Sequence, residues 1–181
     1  MRVIGGSAKG CKLKSVPGDT TRPILDRVKT TLFDILRPRI TDCSWLDLFG
    51  GSGSVGIEAL SQGAKSCVLL DLEPKAVSTI KANLEHCKLS DKATVRNMDA
   101  FSYLRNCQKS FDFIYVAPPQ YKNLWVEAVQ MIAERPQLIN SGGQIIVQID
   151  PKEYEELNLT LFSEADLRKI GNTYLIFYDK H

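Results

Sequence analysis

The sequence contains few of the residues from which metal sites and hydrolytic centres are built. It has two histidines, His86 and His181, and five widely spaced cysteines with no C-x-x-C pair. Zinc sites need several Cys or His ligands, so we expect no metal. A nucleophile–histidine centre would depend on His86, inside a predicted helix, or on the last residue, which argues against triad chemistry. The odd cysteine count favours reduced thiols and a cytoplasmic location.

Long apolar segments are also missing. No run approaches the roughly 20 apolar residues that span a bilayer, and the first ten residues have no apolar core of a secretory signal. We therefore expect no membrane association. With 181 residues, 44% of them hydrophobic and 24% charged, the chain has the composition of one globular domain with at most a small appendage. No feature demands an oligomer, so we expect a monomer.

The small net charge of +2 conceals an uneven distribution. Residues 1–39 carry nine basic and three acidic side chains, whereas residues 40–181 carry a net charge of −4. We therefore divide the chain into a basic N-terminal extension, 1–39, and a main domain, 40–181. A basic segment on an acidic body indicates a polyanionic partner, although a solvated lysine-rich surface has the same composition.

Apolar runs and helical patterns alternate along most of the chain, which predicts an α/β fold with a parallel sheet covered by helices on both faces. Two short strands are expected around residues 5–6 and 9–10, followed by a helix over 26–36 that Asp26 caps and Pro38 ends. A Gly171–Asn172 primed turn should join an antiparallel C-terminal hairpin. The remaining elements are strands at 45–49, 67–71, 93–96, 111–116, 144–149, 166–170 and 173–178, and helices at 55–62, from Pro74, at 101–104 and at 124–134.

A glycine-rich loop, DLFGGSGSVG at residues 47–56, follows the first strand of the main domain. Gly51, Gly53 and Gly56 satisfy the G-x-G-x-x-G pattern, and Asp71 follows Gly51 by 20 residues, a spacing typical of ribose recognition. NAD, FAD, S-adenosylmethionine or a tight turn without a ligand would fit this pattern. Asp47 before the glycines would repel a pyrophosphate and would suit an ammonium group, which favours S-adenosylmethionine.

The third strand is followed by NMDA, residues 97–100, which brings Asp99 and Ala100 to its carboxyl end. An acidic side chain at this position can accept a hydrogen bond from an adenine amino group, while the Ala100 backbone can donate to a ring nitrogen. Asp99 can equally cap the following short helix, and the two roles are compatible.

The fourth strand is followed by APPQY, residues 117–121. Two prolines at the carboxyl end of a central strand make the backbone rigid and remove two donors. The remaining carbonyls can accept from an exocyclic amine, and nearby aromatic rings can stack on a planar base. The same sequence would also serve as an ordinary loop.

Taken together, these motifs resemble the small-subunit (16S) rRNA guanine-N2 methyltransferases of the RsmD type, over nearly the whole chain. The resemblance rests on MRVIGG at residues 1–6, TRP at 21–23, DRVK at 26–29, LF at 32–33, DLFGGSG at 47–53, GIEALS at 56–61 and the proline pair.

The resemblance implies a Rossmann-like class I methyltransferase fold with a seven-stranded, mostly parallel sheet, an antiparallel C-terminal hairpin and an N-terminal β-hairpin extension. It also implies transfer of a methyl group from S-adenosylmethionine to a guanine N2 of rRNA, free or in an assembling small ribosomal subunit. The implied cofactor-binding residues are Arg22, Asp47, Phe49, Gly50, Gly51, Gly53, Asp71, Leu72, Asp99 and Ala100. The implied catalytic residues are Ala117, Pro118, Pro119 and Tyr121, and the implied RNA-binding residues are Arg2, Lys9, Lys12, Lys14, Arg27 and Lys29.

The sequence departs from the family at the catalytic motif. The usual Asp or Asn before the prolines is Ala117, the usual aromatic residue after them is Gln120, and Tyr121 lies one place further on. Ile24 stands where the family generally has Thr. Three alternatives therefore remain: an adenine-N6 methyltransferase acting on DNA or another RNA, an RNA-binding homologue with weakened catalysis, and a nicotinamide oxidoreductase, which Asp47 disfavours.

Overall fold

The computed structural model describes residues 1–18 and 23–181. Its centre is one seven-stranded sheet in the order β3-β2-β1-β4-β5-β7-β6. The first five strands are parallel, and β7 pairs antiparallel with both β5 and β6. This architecture confirms the predicted fold class and the C-terminal hairpin. The strands are β1 Ser44–Asp47, β2 Ser66–Asp71, β3 Ala93–Asn97, β4 Phe111–Val116, β5 Ile139–Ile149, β6 Phe162–Ile170 and β7 Thr173–Lys180.

Helices cover both faces of the sheet. One buried cluster lies between the sheet and α1, α2 and α3 and contains Trp45 and Phe113. A second lies under α4 and α5 and contains Ile114 and Trp125. Because both faces are covered, the central strands are continuous apolar runs rather than alternating ones. The helices are α1 Asp26–Ile40, α2 Ser54–Ser61, α3 Pro74–His86, α4 Ala100–Asn106 and α5 Leu124–Glu134.

Helix α1 differs from its prediction at both ends. It continues through Pro38 to Ile40. Proline removes one backbone donor, but Ile40 is buried and Arg39 donates to the Gly142 carbonyl and to Gln144 Oε1, which stabilises the last turn. Asp26 is not the cap, because Leu25 is the N-cap residue and has no capping side chain.

Strand β5 begins at Ile139, five residues earlier than predicted, and passes through Gly142 and Gly143. Its register against β4 shifts between Phe111 and Phe113, as in a β-bulge. A Cβ on Gly143 would lie 2.5 Å from the Asp112 carbonyl oxygen. Glycine therefore permits the close approach of the two strands, and Gly142 and Gly143 lie within β5 instead of in a loop before it.

The N-terminal hairpin is confirmed, but its paired residues are not those predicted. Arg2 and Lys12 form an antiparallel bridge, and the Val3 N–H donates to the Cys11 carbonyl over 2.9 Å. Residues 5–6 and 9–10 instead form the turn region between the paired segments. Val3 and Leu13 are buried in the first core cluster, so the hairpin shares its core with the main domain.

Side chains of α2 and α3 hold the hairpin against the main domain. Glu58 accepts from the backbone N–H groups of Ile4 and Gly5, at 2.9 and 3.0 Å. The hydroxyl of Ser61 accepts from the Ala8 N–H, and Asn83 exchanges two hydrogen bonds with the Lys14 backbone. The hairpin turn thus lies beside the end of α2, and Lys14 lies nearer the start of that helix.

Two sequence-distant thiols also meet at this contact. The sulfur atoms of Cys11, in the hairpin, and Cys87, after α3, are 2.7 Å apart, and all five cysteines are free. Burial raises the pKa of the Cys87 thiol to about 12.

Over the described ranges, no helix is long and apolar enough to cross a membrane.

Candidate functional site

The carboxyl ends of the parallel strands meet along one edge of the sheet, and most of the predicted site residues lie there. In the glycine loop, the Gly50 N–H donates to the Leu70 carbonyl of β2 over 2.6 Å. A Cβ on Gly50 would lie 2.9 Å from Ile80 Cδ1. Gly51, with φ of 57°, has no atom within 4 Å of an added Cβ, so its backbone faces open space at this edge. Such space allows a ligand to approach the main chain closely.

Gly56 has a different function, in packing α2 on the sheet. A Cβ at this position would lie 2.6 Å from Leu69 Cδ2 and 2.9 Å from the Cys67 sulfur. The third glycine of the pattern therefore lets helix and strand approach closely, as the fingerprint requires.

Asp71 ends β2 and faces the glycine loop. Its Oδ2 accepts from the Gly51 N–H over 2.8 Å, and its Oδ1 accepts from the Glu73 N–H over 2.9 Å. The Asn97 side chain donates to the carbonyls of Asp71 and Leu72. These bonds orient the carboxylate beside Gly51 and fix the backbone of Leu72, a residue that is 64% exposed at the rim.

Asp47 lies at the start of the glycine loop and is fully buried. Burial, with a smaller contribution from the charge of Asp71, raises its pKa to about 7, although backbone N–H groups of Phe49 and Gly56 act in the opposite direction. Its Oδ1 has no hydrogen-bond partner among the described residues. A buried acceptor without a donor is costly, and a cationic donor such as an ammonium group would satisfy it.

The end of β3 has the predicted helix cap. Asp99 Oδ2 accepts from the backbone N–H of Ser102 over 2.9 Å and from its hydroxyl over 3.1 Å, which confirms the capping interpretation. Ala100 is the buried first residue of α4. Phe49 packs edge-on against Phe101. Adenine recognition by Asp99 and Ala100 stays a prediction.

After β4, the chain leaves the core at Ala117, which still packs against the first cluster. Pro118 is half-buried and Pro119 is exposed. Tyr121 has a left-handed backbone, with φ of 63°, and an exposed side chain. All four predicted catalytic residues therefore lie at the same sheet edge as the glycine loop. The catalytic functions assigned to them stay predictions.

Lys29 does not belong to an RNA-binding surface, and its prediction is wrong. Its side chain is 2% exposed, and its ammonium lies 3.1 Å from Glu58 Oε1. It also donates to the Arg2 carbonyl and to the Ser54 hydroxyl. The residue therefore links the hairpin, α1 and α2 inside the protein.

The other predicted RNA-binding side chains are exposed, but they spread over different parts of the surface. Arg2 pairs with Asp26 at the start of α1, and the Arg27 guanidinium lies beside the Gly171 turn. Lys9 lies in the hairpin turn, away from the carboxyl edge. The remaining two are Lys12 and Lys14. The predicted cofactor residue Arg22 lies outside the described residues.

Two site residues were not predicted, and both follow β5. Asp150 Oδ2 accepts from the Tyr121 hydroxyl over 3.1 Å, and Glu153 Oε1 accepts from the Tyr121 N–H over 2.8 Å. The sequence could have indicated these two residues, because the carboxyl ends of neighbouring parallel strands lie at the same edge of a sheet and β5 is the neighbour of β4.

A surface cavity of about 450 Å³ lies at the opposite edge of the sheet and shares none of the site residues.

Comparison with known proteins shows that the chain is similar to methyltransferases. The family model described as "Conserved hypothetical protein 95" matches residues 1–179. The "Ribosomal RNA small subunit methyltransferase D" of Haemophilus influenzae is 38% identical over 74% of this chain and 71% of its own. The chain belongs to the RsmD family of class I methyltransferases.

Further relatives support membership of the RsmD family. The "Putative rRNA methyltransferase YlbH" of Bacillus subtilis is 39% identical, over 83% of each chain. The structure described as "Putative methyltransferase yhhF from Escherichia coli" has a TM-score of 0.88 and 30% identity, and covers 100% of this chain and 98% of its own.

Proposed function

We propose that this protein transfers a methyl group from S-adenosylmethionine to the exocyclic N2 of a guanine in small-subunit rRNA. The proposal depends on the buried Asp47 carboxyl group, whose Oδ1 has no hydrogen-bond partner among the described residues. Asp47 lies at the start of the glycine loop, and Asp71 contacts the same loop at Gly51. This arrangement suits a ligand with a cationic group and a ribose. The guanine and the rRNA come from the resemblance and from the names of the relatives.

The residues present fit S-adenosylmethionine. Asp47 would hold the ammonium group, Asp71 the ribose hydroxyls, and the open backbone at Gly51 would lie against the cofactor. Leu72 offers an apolar surface at the rim. When bound, the cofactor supplies an electrophilic methyl group on a good leaving group.

The protein's contribution to the reaction is to position the acceptor and exclude water. The rigid segment of Pro118 and Pro119 offers carbonyl oxygens that orient an exocyclic amine, while an aromatic ring stacks on the base. Ala117 has no side-chain acceptor for that amine. The loss of one such hydrogen bond reduces the rate about ten- to hundredfold without abolishing it. Removing a guanine from its stack costs a few kcal/mol, which RNA binding must offset.

The test uses labelled S-adenosylmethionine and small-subunit particles that lack methylation, followed by nucleoside analysis of the rRNA. We expect label in N2-methylguanine. Label in N6-methyladenine would instead establish the adenine alternative. Calorimetry with S-adenosylhomocysteine and with NAD separately tests the cofactor.

The Ala117→Asp variant separates a weak enzyme from an RNA-binding homologue. If the wild-type protein binds cofactor and particles but transfers nothing while Ala117→Asp is active, the RNA-binding interpretation holds. We expect measurable wild-type transfer and a faster variant.

A further inference from the structure

The loop between β4 and α5 is unusual in its backbone. Tyr121 and Asn123 both have left-handed conformations, with φ of 63° and 55°. L-residues rarely adopt this region, and they persist there when surrounding contacts require it. The contacts that hold Tyr121 are therefore informative about what the loop does.

Two carboxylates hold Tyr121 at opposite ends of the residue. Glu153 Oε1 accepts from its backbone N–H over 2.8 Å, and Asp150 Oδ2 accepts from its hydroxyl over 3.1 Å. A ring constrained both at its backbone and at its tip has little freedom to rotate. Nevertheless, Tyr121 is 64% exposed, so the ring is held in place at the protein surface.

The two carboxylates are themselves well supported. Asp150 Oδ1 accepts from the Lys152 N–H over 2.9 Å and caps the 3-10 turn Pro151–Glu153. The Glu153 carbonyl accepts from the indole N–H of Trp125 in α5, and Trp125 is fully buried. The turn after β5 is therefore anchored to the core and gives Tyr121 a rigid support.

We propose that Asp150 and Glu153 are positioning residues that hold the Tyr121 ring as the stacking surface for the target base. In this sequence Gln120 follows the prolines and the aromatic residue comes one place later. The left-handed turn at Tyr121, held by Glu153, returns the shifted ring to the site edge. This inference rests on the proposed function, because the stacked base is that of the methyl acceptor.

The test is a double-mutant cycle between Tyr121 and Asp150, measured as kcat/KM for rRNA methylation. Tyr121→Phe keeps the ring and loses the hydroxyl, and Asp150→Ala loses the acceptor. We expect each to lower kcat/KM about fivefold, the effect of one hydrogen bond, with no further loss in the double variant. Tyr121→Ala, which removes the ring, should lower it tenfold or more.

Conservative variants distinguish positioning from a structural effect. Asp150→Asn and Glu153→Gln keep an acceptor oxygen and should restore activity lost in Asp150→Ala and Glu153→Ala. Affinity for S-adenosylhomocysteine should be the same in all variants, since none of them contacts the glycine loop. Additive losses in the cycle, or wild-type activity of Tyr121→Ala, would overturn the proposal.

A second readout does not require methyl transfer. Guanosine monophosphate is titrated into the protein saturated with S-adenosylhomocysteine, and the Tyr121 ring protons are followed by NMR. We expect ring-current shifts in the wild type and smaller ones in Asp150→Ala. Shifts without rRNA methylation would contradict the proposed function alone, and the absence of shifts at saturating nucleotide would contradict the stacking surface.

Discussion

Asp47 places a carboxyl group in the protein interior, and the ionisable groups that interact with it are acidic. Its neighbours Tyr115 and Cys67 have raised pKa values of their own, because both are buried and close to the Asp47 carboxylate. The other acidic neighbour, Asp71, raises the pKa of Asp47 further. The site therefore carries a carboxyl group with a pKa of about 7, and a bound cation would favour its ionised form and lower that pKa.

The affinity for S-adenosylhomocysteine should consequently depend on pH. An ammonium group binds the ionised form of Asp47, so binding below pH 7 requires the loss of a proton. We expect the dissociation constant to rise about tenfold per pH unit below pH 7, measured by calorimetry. Asp47→Asn should bind more weakly and should show no such dependence. An equal pH dependence in both proteins would assign the titration to another group.

Asp47 should also set a pH dependence of stability in the absence of ligand. Its folded-state pKa of about 7 exceeds the value of about 3.9 in an unfolded chain. The protonated form favours folding, and this contribution is lost as pH rises from about 4 through 7. We expect Asp47→Asn to unfold at least ~2 °C higher at pH 8 and to lose this advantage near pH 4. The exposed Asp91→Asn is the control and should change neither value.

Single residues show what the sequence could and could not predict. Asp47 and Asp71 were found because each ends a strand whose position the pattern predicts. Lys29 was misassigned, although it lies three, four and seven residues before Leu32, Phe33 and Leu36 on the buried face of α1. The RNA-binding prediction considered only the charge of Lys29. The helical periodicity of α1 would have indicated that this side chain is buried.

At the scale of elements, the alternation of apolar runs was sufficient to predict the helices and strands of the main domain. Their ends were less certain, because tertiary contacts decide them. Burial of Ile40 carries α1 past Pro38, and Gly143 lets β5 start at Ile139. The attachment of the hairpin depends on Glu58, whose partners are distant in sequence.

The buried pair of Lys29 and Glu58 gives an element-scale prediction, because it holds the hairpin, α1 and α2 together. Lys29→Met leaves Glu58 without its counter-ion and should lower the free energy of unfolding by about 3 kcal/mol. The double variant Lys29→Met/Glu58→Gln should recover part of the loss, since no buried charge remains. Urea unfolding measures both effects.

The exposed pair of Arg37 and Asp34 in the same helix is the control. Arg37→Met should cost at most about 0.5 kcal/mol, the usual range for a surface pair. Hydrogen exchange at the Ile4 and Gly5 amides adds a local measurement, because these N–H groups donate to Glu58. If Lys29→Met leaves their protection unchanged, the ion pair does not support the hairpin.

The whole molecule separates its charges by location. The carboxylates Asp47, Asp71 and Asp99 lie at the carboxyl edge of the sheet, where β1 lies between β2 and β4 and the chain reverses its direction of winding. Among the exposed basic side chains, Arg2, Lys9, Lys12 and Lys14 lie on the hairpin, and Arg27 lies at the start of α1. The sequence predicted both groups, and the contacts of Ser61 and Asn83 in the structure reveal which end of the hairpin faces the site edge.

This orientation divides the basic residues of the hairpin into two classes. Lys12 and Lys14 lie on the arm that leads toward the glycine loop, because Asn83 contacts both the Lys14 backbone and the Ser52 carbonyl. Lys9 lies in the turn beside the end of α2. An RNA that reaches the carboxyl edge should therefore contact Lys12 and Lys14 and should leave Lys9 in solvent.

The salt dependence of RNA binding tests that division. We expect Lys12→Gln/Lys14→Gln to weaken binding to small-subunit rRNA and to reduce the slope of log affinity against log salt by about one per lost phosphate contact. Lys9→Gln should have little effect on the slope. Lys65→Gln/Lys109→Gln removes the same charge at the amino ends of β2 and β4 and serves as the control. If this control changes the slope as much as the hairpin variant does, the RNA responds to net charge and the hairpin is not its binding surface.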